Sequence, residues 1–410
     1  MRKLILIITA GILFSNCSSR RTVTSSSSPV VRENLPAPYA TPSADNRSET
    51  LGWSGDKMPV APAGFKVIKY ASGLNNPRWI YEMPNGDILV SQASTRNQSA
   101  NNILLFRERK GDGSFDKQSV FLSGLNKPFG MLVIGNIFYV ANTDGVFTYP
   151  YQQGDTMLSG PGTKILDLPA GGYNNHWTRN ILANSDNSKI YVSVGSGSNV
   201  GEHGMANEIR RANILEINPD GTGEVVYAAG LRNPVGMAWE PVTKQLWTSV
   251  NERDGLGDDL VPDYTTSVKR DGFYGWPYAY FGQHEDPRLK GQNPALVAKA
   301  IVPDVPLGSH TASLGLDFYT GTAFPAKYKG GAFIGQHGSW NRSEPVGYKV
   351  VFVPFTNGKP GTPEDFLTGF VASKNPNAVY GKPVCIRFLK DGSMLVADDT
   401  GNTIWQITSN

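Results

Sequence analysis

Five stretches of this chain gather residue types that move protons, hold charge or bind cations. Asn175-His176-Trp177-Thr178-Arg179-Asn180 carries an imidazole, whose ordinary titration near neutral pH suits a proton acceptor. Gly230-Leu231-Arg232-Asn233-Pro234 and His337-Gly338-Ser339-Trp340-Asn341-Arg342 carry guanidinium groups, which pair with carboxylates and hold developing negative charge. Lys382 and the pair Asp398-Asp399 bracket a further copy of the same local pattern. Asp254-Gly255-Leu256-Gly257-Asp258-Asp259 collects carboxylates and flexible carbonyls in one tight loop, the oxygen donors that a hard cation such as Ca²⁺ prefers. Its spacing is not that of an EF-hand, and a glycine-rich surface loop with solvated acids explains it equally well.

The elements that position these residues are read from a repeat. Gly-Leu-x-x-Pro occurs at Gly73 to Pro77, Gly124 to Pro128 and Gly230 to Pro234. The first two copies lie about fifty residues apart, a spacing typical of propeller blades. After each Pro comes an apolar strand, a turn and a second apolar strand ending in polar residues. Three further hairpins, near His176, Leu314 and Lys382, bring the number to six. Two more short strand candidates follow each hairpin, so a unit holds four strands. The last unit lacks its outer strand, which Phe65 to Ser72 is expected to supply. The expected fold is an all-β, six-bladed β-propeller of four-stranded antiparallel blades, its last blade closed by an N-terminal strand. A pair of β-sandwiches does not explain the period.

Antiparallel strands exchange ends, so the start of the first strand and the end of the second lie on one face of the ring. That face collects Asn75, Asn76, Gln92, Lys127, Asn142, Asn175, His176, Ser196, Arg232, Asn233, Asn251 and Glu252, followed by His310, His337, Arg342, Lys382, Asp398 and Asp399. The opposite face collects turn residues. Cations gathered on one face suit an anionic planar ligand.

Residues 1–17 read as a lipoprotein signal peptide: Arg2 and Lys3, an apolar run from Leu4 to Phe14, and Cys17 as the lipobox cysteine. An ordinary signal peptide cut nearby is the alternative. Residues 18–50, rich in Ser and Pro, read as a disordered tether, and 51–410 as the propeller. The expected location is periplasmic or cell-surface, with membrane contact only through the anchor. Cys385 is the second of two cysteines and sits in an apolar run, so it reads as a buried inert thiol, with no disulfide framework. A net charge of +3 argues against nucleic acid as a partner.

From Gly52 to Asn410 the chain resembles the PQQ-dependent sugar dehydrogenases of the soluble glucose, sorbosone and pyranose type. The stretches that carry the resemblance are those around His176, Arg232 and Arg342, together with Tyr274-Gly275-Trp276-Pro277 and Asp398-Asp399-Thr400-Gly401-Asn402. It implies PQQ and Ca²⁺ as cofactors, a sugar or sugar aldehyde as substrate and an external electron acceptor. It further implies His176 as general base, Arg232 as the residue polarising a quinone oxygen and Asn233 beside it. Gln92, Arg342 and Lys382 would hold the cofactor. The backbone of Gly255 and Leu256, with Asp258 and Asp259 nearby, would form the calcium loop. Asn175 departs from the acid that the glucose branch places before its histidine, and Lys382 stands where related sequences often have Arg. His203, His284 and His310 have no task in this scheme and read as loop or surface residues. A calcium-dependent lactonase and a non-enzymatic carbohydrate- or protein-binding propeller are the competing readings.

Overall fold

In each Gly-Leu-x-x-Pro copy the glycine adopts a left-handed backbone, with φ of 69° at Gly73, 73° at Gly124 and 74° at Gly230. A side chain is strained there, which is why the motif begins with Gly. The leucine that follows is buried in all three copies. Its N–H donates to the residue just ahead of the third strand of the sheet being left: Leu74 to Asn402, Leu125 to Asn101 and Leu231 to Ala212. The repeat is thus a hinge that leaves one sheet, pins to it and starts the next.

The computed structural model describes residues 35–95, 99–111, 114–372 and 377–410. The fold is all-β, and among the described residues the helical structure is limited to Pro294–Val297 and three short 3-10 turns. Among the described residues, six sheets of four or more strands follow in chain order. The first joins Pro77–Glu82, Ile88–Gln92, Asn102–Arg109 and Phe115–Leu122. The second joins Met131–Ile134, Ile137–Asn142, Gly145–Pro150 and Thr163–Asp167. The third joins Arg179–Ala183, Ile190–Val194, Asn213–Ile217 and Val225–Ala229, with Gly272–Phe273 added in parallel. The fourth joins Pro234–Trp239, Leu246–Val250, Pro262–Ser267 and Val305–Ser309, and the fifth Ser313–Phe318, Ala332–Gln336, Lys349–Val353 and Glu364–Leu367. The sixth joins Pro383–Phe388, Met394–Asp398 and Thr403–Ser409 to Phe65–Ser72, which pairs antiparallel with the last strand from Phe65↔Ser409 to Ser72↔Thr403.

Apolar clusters lie between consecutive sheets, because each strand alternates its side chains between two neighbours. The most aromatic lies between the fifth and sixth and includes Tyr319, Phe333, Phe352, Phe366 and Trp405, all at most 2% exposed. Burying one such ring is worth roughly 1.5–3 kcal/mol, and truncating Phe333 to Ala costs about 3–5 kcal/mol. The first strands of all six sheets line one cavity of about 300 Å³, from Trp79, Met131, Ile181 and Met237 to Leu316 and Ile386.

Pairing places the hairpin ends as the antiparallel rule requires: Pro77↔Gln92, Arg179↔Val194, Pro234↔Val250, Ser313↔Gln336 and Pro383↔Asp398. Of the stretch expected as a tether, the described residues 35–50 make contacts with the rest of the chain. Tyr39 donates its N–H to Leu256 O at 2.8 Å and Asn46 to Trp340 O at 2.7 Å. Glu49–Thr50 pairs in parallel with Ala378–Val379. Polar side chains and backbone make these contacts, which leave no hydrophobic period in the sequence. Residues 1–34, with the Cys17 lipobox, lie outside the described residues.

Candidate active site

His176 stands just ahead of the first strand of the third sheet, and Ser196 just beyond the end of the second. The His176 Nδ1 lies 2.8 Å from Ser196 O and 3.0 Å from Ser196 Oγ. A carbonyl only accepts, and the Ser196 hydroxyl donates to Ser198 O at 2.6 Å. The proton therefore sits on Nδ1, leaving Nε2 with its lone pair. Burial, reinforced by the Arg232 charge, pushes the imidazole down to about 3, so the ring is neutral at neutral pH. Gly195 lets His176 and Asn233 meet: a Cβ there would lie 2.6 Å from His176 Cβ and would also collide with Asn233 Oδ1.

Arg232 is 1% exposed. Its guanidinium donates mainly to neutral acceptors: Asn199 O at 3.1 Å, Asn199 Oδ1 at 2.9 Å, Glu252 O at 2.6 Å and Asn251 O at 3.3 Å. The carboxylate of Asp254 approaches no closer than 3.5 Å. Burial lowers the basicity of Arg232, although a guanidinium retains its charge at neutral pH. Asp254 is shared further. Its Oδ1 accepts from Asn341 Nδ2 at 2.7 Å and lies 3.5 Å from His310 Nδ1. Burial pushes this carboxyl up, but hydrogen bonding to His310 and the Arg232 charge outweigh it and leave it below its ordinary value.

A second charged cluster is built from the first, fifth and sixth sheets. Arg78 NH1 contacts Asp399 Oδ2 at 2.5 Å, and His337 Nε2 lies 2.9 Å from Asp399 Oδ1. Burial opposes ionisation of Asp399, yet the charges of His337 and Arg78 hold it well below the usual carboxylate range. Arg78 also stacks over Trp177 at 5.2 Å, next to His176 in the chain. Among the residues of the expected face, Asn142 Oδ1 and Asn233 Oδ1 are buried acceptors without a protein partner, and Asn251 Nδ2 is such a donor.

Several expected roles meet other engagements. Gln92 accepts from Asn75 N at 2.6 Å and donates to Asn102 Oδ1 at 2.7 Å, so both ends of its amide are in use. Arg342 donates to Asp258 O at 2.5 Å and to Asp259 Oδ1 at 2.8 Å. Lys382 extends its ammonium over the Tyr348 ring at 5.4 Å. Asp258 accepts from the N–H and hydroxyl of Ser343, and Leu256 O accepts from Tyr39 N. A Cβ at Gly255 would lie 3.2 Å from an Arg288 nitrogen. The oxygens of Leu256, Asp258 and Asp259 are thus met by N–H and guanidinium donors, and a guanidinium also crowds Gly255. As they stand, the oxygens of Leu256, Asp258 and Asp259 are taken up by the chain's own donors and do not suit a divalent cation. His310 lies in a loop as expected but not at the surface, being 7% exposed and bonded through Nε2 to Gly257 O at 2.9 Å. His203 and His284 are exposed, as expected. Burial pushes the Cys385 thiol up to about 12, matching an inert buried cysteine.

Residues 59–271 and 286–410 match the model of the TrAA12-like family of pyrroloquinoline quinone-dependent oxidoreductases. The chain belongs to that family. An uncharacterized protein of Borreliella burgdorferi is 31% identical over 360 residues, 84% of this chain and 89% of its own. The calcium structure of the Trichoderma reesei family AA12 enzyme superposes with a TM-score of 0.73 at 20% identity, covering 89% of this TrAA12-like chain and 99% of the fungal one. The holo form of the pyranose dehydrogenase PQQ domain of Coprinopsis cinerea gives 0.68 at 20% identity over 86% and 98%. The whole Coprinopsis PQQ-dependent pyranose dehydrogenase is 24% identical over 343 residues, 71% of this chain, which spans 44% of that protein's length. The sequence resemblance to quinoprotein sugar dehydrogenases therefore holds.

Proposed function

We propose that this protein is a PQQ-dependent dehydrogenase that oxidises an alcohol or hemiacetal carbon of a sugar or sugar aldehyde. The observation that carries the reading is the neutral His176, its Nε2 lone pair left over, beside a buried Arg232 that no carboxylate closely neutralises. The six sheets are read as blades of a closed six-bladed propeller, completed by Phe65–Ser72, with the site at its mouth.

The donor set suits the quinone. Lys382 brings positive charge for its carboxylates, Arg232 brings it for a quinone oxygen, and Asn233 offers a buried amide oxygen without a protein partner; Arg342 could join them only by giving up its ion pair with Asp259. When bound, the quinone supplies the two-electron acceptor for the sugar carbon. His176 accepts the hydroxyl proton at Nε2, while Ser196 O fixes the ring through Nδ1. Arg232 stabilises negative charge, held in place by Asn199 and the carbonyls of Asn251 and Glu252. Calcium is assigned no step.

The test is to add the quinone to purified protein, with calcium and with a chelator, and to follow dye reduction across a sugar panel. Sugar-dependent reduction supports the reading. Its absence with every sugar under both conditions overturns it. Cys17 is further proposed as a lipid anchor that places the protein at the periplasmic or cell-surface membrane. Cys17→Ser should release it from membrane fractions, and unchanged retention contradicts lipidation there.

A further inference from the structure

The loop Asp254–Asp259 leaves the end of a strand, carries two glycines and sits beside Arg232. Such a loop needs something to fix it, and two partners on this chain do so. On one side lie residues 310 and 341–343: His310 Nε2 donates to Gly257 O, Arg342 to Asp258 O, and the Ser343 N–H to Asp258 Oδ2 at 3.1 Å. On the other side lies the N-terminal stretch. Tyr39 N donates to Leu256 O at 2.8 Å, Gly257 N to Ser43 Oγ at 3.2 Å and Asp258 N to Thr41 Oγ1 at 2.9 Å. The three successive residues 256–258 are each bonded to a stretch more than two hundred positions earlier in the chain.

The fit is close. Gly257 has φ of 112°, and a Cβ on it would lie 2.6 Å from Thr41 O. Glycine is required there twice over, by backbone conformation and by the passing chain. The same stretch then crosses to the loop's other partner: Asn46 donates from N to Trp340 O at 2.7 Å and from Nδ2 to Ser343 O at 2.9 Å. It is secured at its far end by Glu49–Thr50 against Ala378–Val379. Trp53 follows, donating from Nε1 to Asp398 Oδ2 at 2.5 Å.

We infer that residues 36–50 form a brace that clamps the 254–259 loop, so that this part of the site keeps its shape without a divalent ion. A divalent cation orders such a loop by drawing its carbonyls and carboxylates together. Here the Tyr39 N–H and the guanidinium groups of Arg288 and Arg342 meet the loop oxygens instead, while the Thr41 and Ser43 hydroxyls accept from loop N–H groups. The ordered loop in turn presents Asp254, whose Oδ1 is fixed by Asn341 and whose backbone N–H is fixed by Asn199 Oδ1 at 2.9 Å. Asn199 is also the residue that holds Arg232. The brace is therefore a positioning element, three hydrogen bonds removed from the guanidinium. That consequence for catalysis rests on the function proposed above; the clamp itself does not.

Hydrogen exchange of the segment covering residues 254–260 tests the clamp in the full chain. Wild type is compared with the double variant Thr41→Val, Ser43→Ala, each with calcium and with a chelator. The variant removes two acceptors while keeping chain length and bulk, and its Gly257 and Asp258 amides should exchange about tenfold faster or more. Wild-type exchange should agree within about twofold between calcium and chelator. Unchanged exchange in the variant overturns the brace. Slowing of wild-type exchange by calcium of about tenfold overturns metal independence. Gly257→Ala is the second variant, which should displace the brace by crowding Thr41 and raise exchange in the same segment. Calorimetric titration of wild type with the quinone separates the two ideas: absent quinone binding sinks the dehydrogenase reading, whereas the exchange rates alone decide the clamp.

Discussion

The two charged clusters beside His176 differ in how their guanidinium groups are neutralised. Arg78 meets Asp399 at 2.5 Å with both side chains about nine-tenths buried, and His337 adds a second contact to the same carboxylate. Arg232 is as deeply buried, but its close partners are carbonyl and amide oxygens, with Asp254 at 3.5 Å. Dipoles position a cation without cancelling its charge, whereas a carboxylate does both. The Arg78 side is therefore a structural joint between sheets. The Arg232 side keeps positive potential for a ligand, next to an imidazole whose Nε2 is not needed by the fold.

Breaking the joint should have the largest effect on stability. Arg78→Leu strands the buried Asp399 and should cost about 3–5 kcal/mol in chemical denaturation. If the variant unfolds at the wild-type midpoint, the contrast between the two clusters fails. Arg232→Lys sharpens the contrast, because it keeps the charge but loses the planar fork that spans Asn199 and Glu252. It should weaken quinone binding about ten- to hundredfold, read by calorimetry, with a smaller loss of stability than Arg78→Leu. Equal quinone affinity would remove Arg232 from the cofactor site.

A third effect is on acid stability. His176 is held at about 3, below the ordinary imidazole value near 6.5. Between those values the unfolded chain binds a proton that the folded protein does not. Its contribution to stability is present above about pH 6.5 and is lost as pH falls toward 3. His176→Gln lacks this titration. Its melting temperature should therefore fall less than that of wild type between pH 7 and 4, and parallel losses in the two proteins would contradict the depressed value.

The strands were legible because apolar runs and turns recur at a fixed interval, and the outer strand Phe65–Ser72 could be found by what the last repeat lacked. Face positions followed from hairpin geometry, which brought His176, Ser196, Arg232 and Asn233 into one place. Arg78 was missed, although a signal existed. It occupies the position after Pro where sister copies have Phe129 and Val235, so a cation stands in an apolar register. Asn199 and the Thr41–Ser43 contacts had no such signal, because a hydroxyl or amide used at a single distant point leaves no period. The sequence around His310 shows no task for it, and only the fold reveals that its imidazole bonds to Gly257 O. The acids Asp258 and Asp259 show the same limit: composition gives donor type, but the partners come from Ser343 and Arg342 far along the chain.

Sugar oxidation at the His176 and Arg232 cluster, as proposed above, requires His176 for proton removal. Rapid mixing of quinone-loaded wild type and His176→Gln with a sugar, followed by quinone absorbance without added dye, tests it most directly. Quinone affinities should be equal within about twofold, and reduction should be slower in the variant by roughly two to four orders of magnitude. Reduction at the same rate in both proteins would contradict it.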